Sequence, residues 1–109
     1  MNVLFLSEIQ HYLYELENIL YAKGYYSYES SAHKYVDNLI NDIKTNVSKL
    51  RHRPAPEYYD KYGKGMYYAF FPKNRRTTWY AFFTKYEENG ETVYLIRYIG
   101  NNHTEAQHL

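Results

Sequence analysis

Three kinds of side chain in this sequence could do chemistry on a phosphate ester. Arg75 and Arg76 stand side by side, and guanidinium groups grip phosphate oxygens bidentately. The same pair equally suits a solvated hairpin tip. Arg97 interrupts an apolar run, where an unpaired charge is expensive, so it either lines a ligand-facing surface or pairs with a carboxylate such as Glu15 or Glu17. His103 and His108 offer imidazoles that titrate near neutral pH, the range that suits proton transfer, unless they are ordinary residues of a fraying tail. Although His103, Glu105 and His108 cluster in sequence, their spacing is not that of a helical HExxH zinc site, and no metal or cofactor is expected.

A fourth feature is the group Tyr58, Tyr59 and Tyr62 with Lys61 and Lys64. Aromatic rings interleaved with lysines can stack on single-stranded RNA while holding its backbone. The alternative is that the tyrosines pack across a sheet and leave the lysines in water. Sixteen tyrosines are present, and tyrosine serves as core filler, interface residue and stacking platform alike, so the count decides nothing. Glycine-rich phosphate loops, nucleophile elbows and paired-carboxylate motifs are missing, which leaves the ordinary metabolic enzyme classes without support.

These residues must be positioned by a chain of 109 residues with a net charge of +1 and no cysteine, which bounds the expectation at one domain, 1–109, built on one core. The near-neutral balance argues against indiscriminate nucleic-acid binding and permits a local basic patch. Residues 3–6 are too few for a signal-peptide core, so a cytoplasmic chain with neither disulfides nor a membrane span is expected.

The organising stretch is residues 77–103. Two aromatic and β-branched runs flank Asn89-Gly90, the favoured sequence for a two-residue type I′ hairpin, whose central residues both need positive φ. Strict alternation sets Val93, Leu95, Arg97 and Ile99 on one side of the second strand and Tyr94, Ile96 and Tyr98 on the other. Trp79, Ala81 and Phe83 likewise oppose Tyr80, Phe82 and Thr84. Neither face is polar throughout, so both strands belong in the middle of a sheet with something amphipathic over them.

Residues 3–6 predict a short edge strand. Ser7, with Gln10 three residues on, predicts a capping box for a helix over 7–23 that carries Ile9, Tyr12, Leu13, Leu16, Ile19 and Leu20, with Gly24 at its C′ position. After a break at residues 24–27, a second helix over 29–49 carries Ala32, Val36, Leu39, Ile40, Ile43 and Val47, with Leu50 extending the same stripe; Lys34, Asp37, Asn38, Asn41 and Lys44 take its opposite side. Pro54 and Pro56 end that helix and open a basic, tyrosine-rich loop to Gly65. A strand over 66–71, stopped by Pro72, starts the meander. The expected class is α+β: an N-terminal antiparallel helix hairpin on a small, mainly antiparallel sheet.

Two helices, then a small antiparallel sheet whose last apolar strand ends in glycine and a polar tail, resemble the RelE/ParE superfamily of type II toxin–antitoxin toxins. The part that carries most of the resemblance is WYAFFTKYEENGETVYLIRYIGNNHTEAQHL. The resemblance implies a metal-independent, ribosome-dependent mRNA endoribonuclease that inhibits translation, neutralised by a cognate antitoxin. Its alternatives are a ParE-like inhibitor of DNA gyrase and a degenerate toxin that only binds its antitoxin. It implies cleavage with the RNA's own 2′-OH as nucleophile, so the protein supplies a base, cations for the phosphorane and an acid for the 5′-oxygen. On that reading Arg75, Arg76 and Arg97 are the phosphate ligands, with Arg75 or Arg76 standing in for a mid-sheet arginine, and His103 and His108 are the acid–base pair. Asn102 falls near the place of a family arginine. Lys49, Arg51 and Arg53, where RelE-like members carry basic residues, would hold RNA with Lys61 and Lys64.

Overall fold

The computed structural model describes residues 2–24 and 29–109, the side chains of residues 29 and 30 excepted. Residues 25–27 of the expected interhelical break lie outside the described residues. The described chain is α+β. Strand β1 (Asn2–Phe5) leads into helices α1 (Ser7–Ala22) and α2 (Glu29–Asn46); β2 (Arg53–Pro54) and a 3-10 turn (Glu57–Lys61) follow. The meander β3 (Tyr67–Pro72), β4 (Thr78–Glu88) and β5 (Glu91–Asn101) comes next, and the chain closes with α3 (Asn102–Glu105) and a 3-10 turn (Ala106–His108). The sheet has five strands in the order β1-β5-β4-β3-β2; β1 is parallel to β5 and the other pairings are antiparallel.

The hairpin turn forms as its sequence predicts: Asn89 and Gly90 have φ of 52° and 79°, and Glu88 pairs with Glu91. The alternation along β5, however, is broken by a bulge. Phe82 faces Tyr98 while Phe83 faces Ile96, so Arg97 is an extra residue with no partner across the ladder. Its insertion turns over every side chain beyond it. Ile99 joins Tyr94 and Ile96 on the helix side, and Tyr98 goes to the far side, the reverse of strict alternation. On β4 the expected division holds, with Trp79, Ala81 and Phe83 under the helices and Tyr80 and Phe82 opposite.

Both faces are covered. On the helix side Ile9, Leu13 and Leu16 of α1 and Val36, Leu39 and Ile43 of α2 bury against the sheet, with Val47 just beyond α2. Ile19, Ile40 and Leu50 lie at the margins of their stripes. On the far side the basic, tyrosine-rich segment packs across the sheet as a plug: Tyr59 is fully buried and stacks on Phe82 with ring centroids 4.3 Å apart. Full burial of an aromatic side chain of this size contributes on the order of 2–3 kcal/mol.

Two helix ends differ from expectation. Leu6, not Ser7, takes the N-cap position of α1 and makes no side-chain cap bond, and Gln10 Nε2 donates instead to the Phe5 carbonyl at 2.9 Å. Helix α2 stops at Asn46, and His52 Nε2 lies 2.7 Å from the freed Val47 carbonyl. Gly24 has the positive φ (76°) of a C′ residue, as predicted. Among the described residues no helix is long and apolar enough to cross a membrane.

The helices run antiparallel: His33 of α2 meets Glu17 of α1, while the later Lys44 reaches the ring of Phe5, which precedes α1. His33 is a clasp between them, with Nδ1 2.9 Å from Glu17 Oε1 and Nε2 3.1 Å from Asp37 Oδ2. A neutral imidazole has one N–H, so both contacts are attractive only in the imidazolium form. The bond to Glu17, and then the Asp37 charge, accordingly raise the His33 pKa above its ordinary value. With the folded-state pKa the higher, the contribution is complete below the unfolded value and is lost as pH rises through the folded one. Urea midpoints of the parent chain and His33→Gln should therefore differ at about pH 5.5 and coincide at about pH 8.5. A gap that persists at the alkaline pH would show that the clasp does not act through protonation.

Candidate functional site

The turn joining β3 to β4 is closed by the Lys73 and Asn74 N–H groups donating to the Thr77 carbonyl at 3.0 and 3.3 Å, and by one side chain. Asn74 Oδ1 accepts from the backbone N–H groups of Arg76 and Thr77, both at 2.9 Å, and Lys73 behind it reaches Asp42 of α2 at 3.4 Å. Arg75 and Arg76 are thereby held at an exposed tip. The tail then docks on the same turn. Asn102 Nδ2 donates to the Arg76 carbonyl at 3.0 Å, and its Oδ1 accepts from Thr78 N–H at 2.9 Å. Asn101 caps the short α3 by accepting from His103 N–H at 3.0 Å, and this aims His103 back at the turn, where Nε2 is 3.2 Å from Thr77 Oγ1. Two arginines and one histidine thus share one end of the sheet.

Beside them opens a groove of about 450 Å³ between the end of α1, Trp79 of β4 and the tail. Tyr12, Leu16, Leu20 and Tyr35 contribute to its walls, with Lys23, Asn74, Thr77 and His103 as polar groups. Trp79 Nε1 donates to the Tyr35 hydroxyl at 2.8 Å, which fixes the indole.

The other candidates lie elsewhere. His108 is on the far side of the sheet, its ring stacked on Tyr58 at 3.6 Å, so the two histidines are not brought together. Lys61 Nζ sits 4.0 Å over the same Tyr58 ring, and Tyr62 stacks on Tyr98 at 4.0 Å. The tyrosine cluster is therefore engaged within the chain, which is the packing reading of that segment. Arg97 meets no carboxylate of α1, since it follows the helix-facing Ile96 and so points to the far side; its Nε donates to the Tyr62 carbonyl at 2.8 Å, against Gly63. Arg53 lies 4.7 Å over the Phe70 ring and pairs in register with Tyr68, at the opposite end of β3 from the Arg75 turn. Lys49 and Arg51, which precede it, and Lys64 are exposed.

Sequence reasoning passed over the residue that anchors the tail. Glu105 is 5 % exposed and accepts hydrogen bonds from Tyr59 Oη (3.0 Å), Tyr98 Oη (3.0 Å) and Thr104 Oγ1 (2.7 Å). It lies over Gly100, where an added Cβ would come within 2.6 Å of Glu105 Cγ. Burial, and then the bond to Glu105, push the Tyr59 and Tyr98 phenols well above the ordinary tyrosine range, so both remain hydroxyl donors. The only sequence signals were the phenols at positions 59 and 98 and the glycine beside the tail. Among the described residues no group of three or more His, Asp or Glu is placed to hold a metal ion.

Comparison with protein-family models, with curated proteins and with solved structures finds no match to this chain.

Glu105→Ala should leave two tyrosine hydroxyls without their acceptor and destabilise the chain by about 2–4 kcal/mol, read from chemical denaturation. Gly100→Ala should cost about 1–3 kcal/mol by overpacking against Glu105, with less added when Glu105 is already Ala.

Proposed function

We propose that the chain is a toxin of the RelE/ParE type that cleaves mRNA without a metal, with the Arg75–Arg76 turn and His103 as its working groups. The observation that carries this reading is the docking of the tail on the turn through Asn102 and Thr77, which gathers cations and an acid–base group at one accessible end. The succession of a helix hairpin, a β-meander and a strand–glycine–tail ending supports the same family.

The reaction needs a base, an anion-stabilising group and an exit for the leaving oxygen. His103 removes the proton from the 2′-OH, whose oxygen then attacks the adjacent phosphorus. Thr77 orients the imidazole, and Arg75 and Arg76 neutralise the phosphorane charge. The 5′-oxygen leaves toward solvent and takes its proton from water. Arg97 and His108 have no part in this scheme because each is committed to a packing contact on the far side. Lys49 and Arg51, both exposed, and Arg53 provide a further basic approach.

In this reading the substrate is mRNA on the ribosome, the cell compartment is the cytoplasm and the partner is a cognate antitoxin. A groove of about 730 Å³ beside β1, lined by Leu4, Phe5, Leu13, Tyr14 and Ile40, offers apolar surface for an antitoxin segment. DNA gyrase is the target in the ParE-like variant of the same reading.

Controlled expression in a bacterial host, with mRNA 5′ ends mapped and DNA damage followed in parallel, tests it. New ends within translated codons are expected. They should fall by about 10²–10⁴-fold in His103→Gln and persist in His108→Ala. Intact mRNA with damaged DNA would transfer the activity to gyrase, and intact mRNA with intact DNA would leave antitoxin binding alone.

A further inference from the structure

The groove beside His103 has a character that phosphate chemistry alone does not require. A phosphoryl-transfer site needs cations and a base, but not a recess walled by Leu16, Leu20 and Trp79. Its volume, about 450 Å³, lies in the range of small-molecule sites, and its lining is divided evenly between apolar or aromatic residues (Tyr12, Leu16, Ile19, Leu20, Tyr35 and Trp79) and polar ones. Among the described residues none that lines it is acidic, whereas the larger groove beside β1 carries Glu17. Lys23 and His103 sit there with Asn74 and Thr77, the two residues that bracket Arg75 and Arg76.

From this arrangement we infer that the groove binds a nucleobase, that of the RNA nucleotide whose phosphate is held at the 74–77 turn. The inference rests on the nuclease reading and names what that site recognises. A base offers flat apolar faces to Leu16, Leu20 and the aromatic walls, and its edge presents donors and acceptors to Asn74, Asn101 and the Tyr12 phenol. Burial, and secondarily Glu105, push the Tyr12 phenol above its ordinary range, so it stays a neutral donor and acceptor. Base and phosphate subsites joined by one turn would then select the nucleotide and position its 2′-OH together. The recognition has a steric limit as well, because Ile19 stands at the groove margin and is 39 % exposed.

Trp79 lines the groove and is the chain's one tryptophan, so its fluorescence reports on occupancy. The test titrates the full chain with adenosine, guanosine, cytidine and uridine 3′-monophosphates, and with ribose 5-phosphate and inorganic phosphate as controls. Saturable changes are expected from at least one nucleotide, with binding at least tenfold tighter than that of ribose 5-phosphate. Ile19→Tyr, which fills the margin, and Lys23→Glu, which reverses the charge at an exposed position, should each weaken nucleotide binding at least tenfold without lowering the melting temperature. Equal responses to nucleotide and ribose 5-phosphate, or no saturable response in the parent chain, would overturn the base subsite. So would nucleotide binding that neither variant changes. Base binding by a chain that leaves mRNA intact would overturn the nuclease reading alone, and mRNA cleavage without base-dependent binding would overturn this inference alone.

Discussion

The hydrogen bonds that Tyr59 and Tyr98 donate to the buried Glu105 carboxylate tie together three parts of the chain that nothing in local sequence connects. One is the plug after β2, the second is the far face of β5 and the third is the tail. Without an acceptor there, Tyr59 could not be buried under the sheet at acceptable cost; without the phenols, Glu105 would be a carboxylate out of water with only Thr104 for company. Gly100 completes the fit, since any Cβ at that position would collide with the Glu105 side chain. The position of His103 follows from this anchor, because it lies two residues upstream in the same short helix. Asn101 and Asn102 then refine its direction.

The bulge at Arg97 gives β5 two different jobs. Before it, Tyr94 and Ile96 serve the helix-side core and the outer edge of the strand is paired with β1. After it, β5 has passed the end of β1, Ile99 keeps the helix side, and Tyr98 is delivered to the far side where Glu105 needs a donor. An unbulged strand would send Tyr98 under the helices and break the Glu105 arrangement. Arg97 is the residue that can occupy the extra position, because its guanidinium finds the Tyr62 carbonyl while its stem covers Gly63.

How far the sequence discloses all this depends on whether a feature is local. The Asn89-Gly90 turn, the two helical stripes and the strand stopped by Pro72 are periodic or turn-encoded, and they form where the pattern places them. The bulge has no such code: no glycine or proline marks it, and alternation assumes that every residue advances the ladder. Arg97 in an apolar run was the only visible sign of irregularity, and it reads equally well as a ligand. The candidate site divides the same way. Arg75-Arg76 and His103 are recognisable by residue type, but which histidine shares an end with the arginines depends on how the tail folds back. Asn102 has no chemistry to mark it in sequence and is a strut in space, donating to the Arg76 carbonyl and accepting from Thr78 N–H. Glu105 is visible in sequence only as part of a cluster without metal-site spacing, because glutamate is rarely buried unless paired and its tyrosine partners are 46 and 7 residues away.

Charge placement finally bears on how such a site could work. With a net charge of +1, the chain cannot collect RNA by counterion release over a broad basic surface. Its cations are dispersed: Arg75 and Arg76 stand on the exposed β3–β4 turn, Arg53 lies over Phe70, Lys61 over Tyr58 and Lys44 near Phe5, and Lys73 pairs with Asp42. Weak long-range attraction must then be offset by short-range fit at the reacting nucleotide, or by a partner that presents the strand. On the proposed reading, a ribosome-held message would meet the second condition and the groove, as a base subsite, the first. On that reading the two are complementary: presentation would raise the local concentration of RNA, and the subsite would determine which nucleotide is aligned with His103.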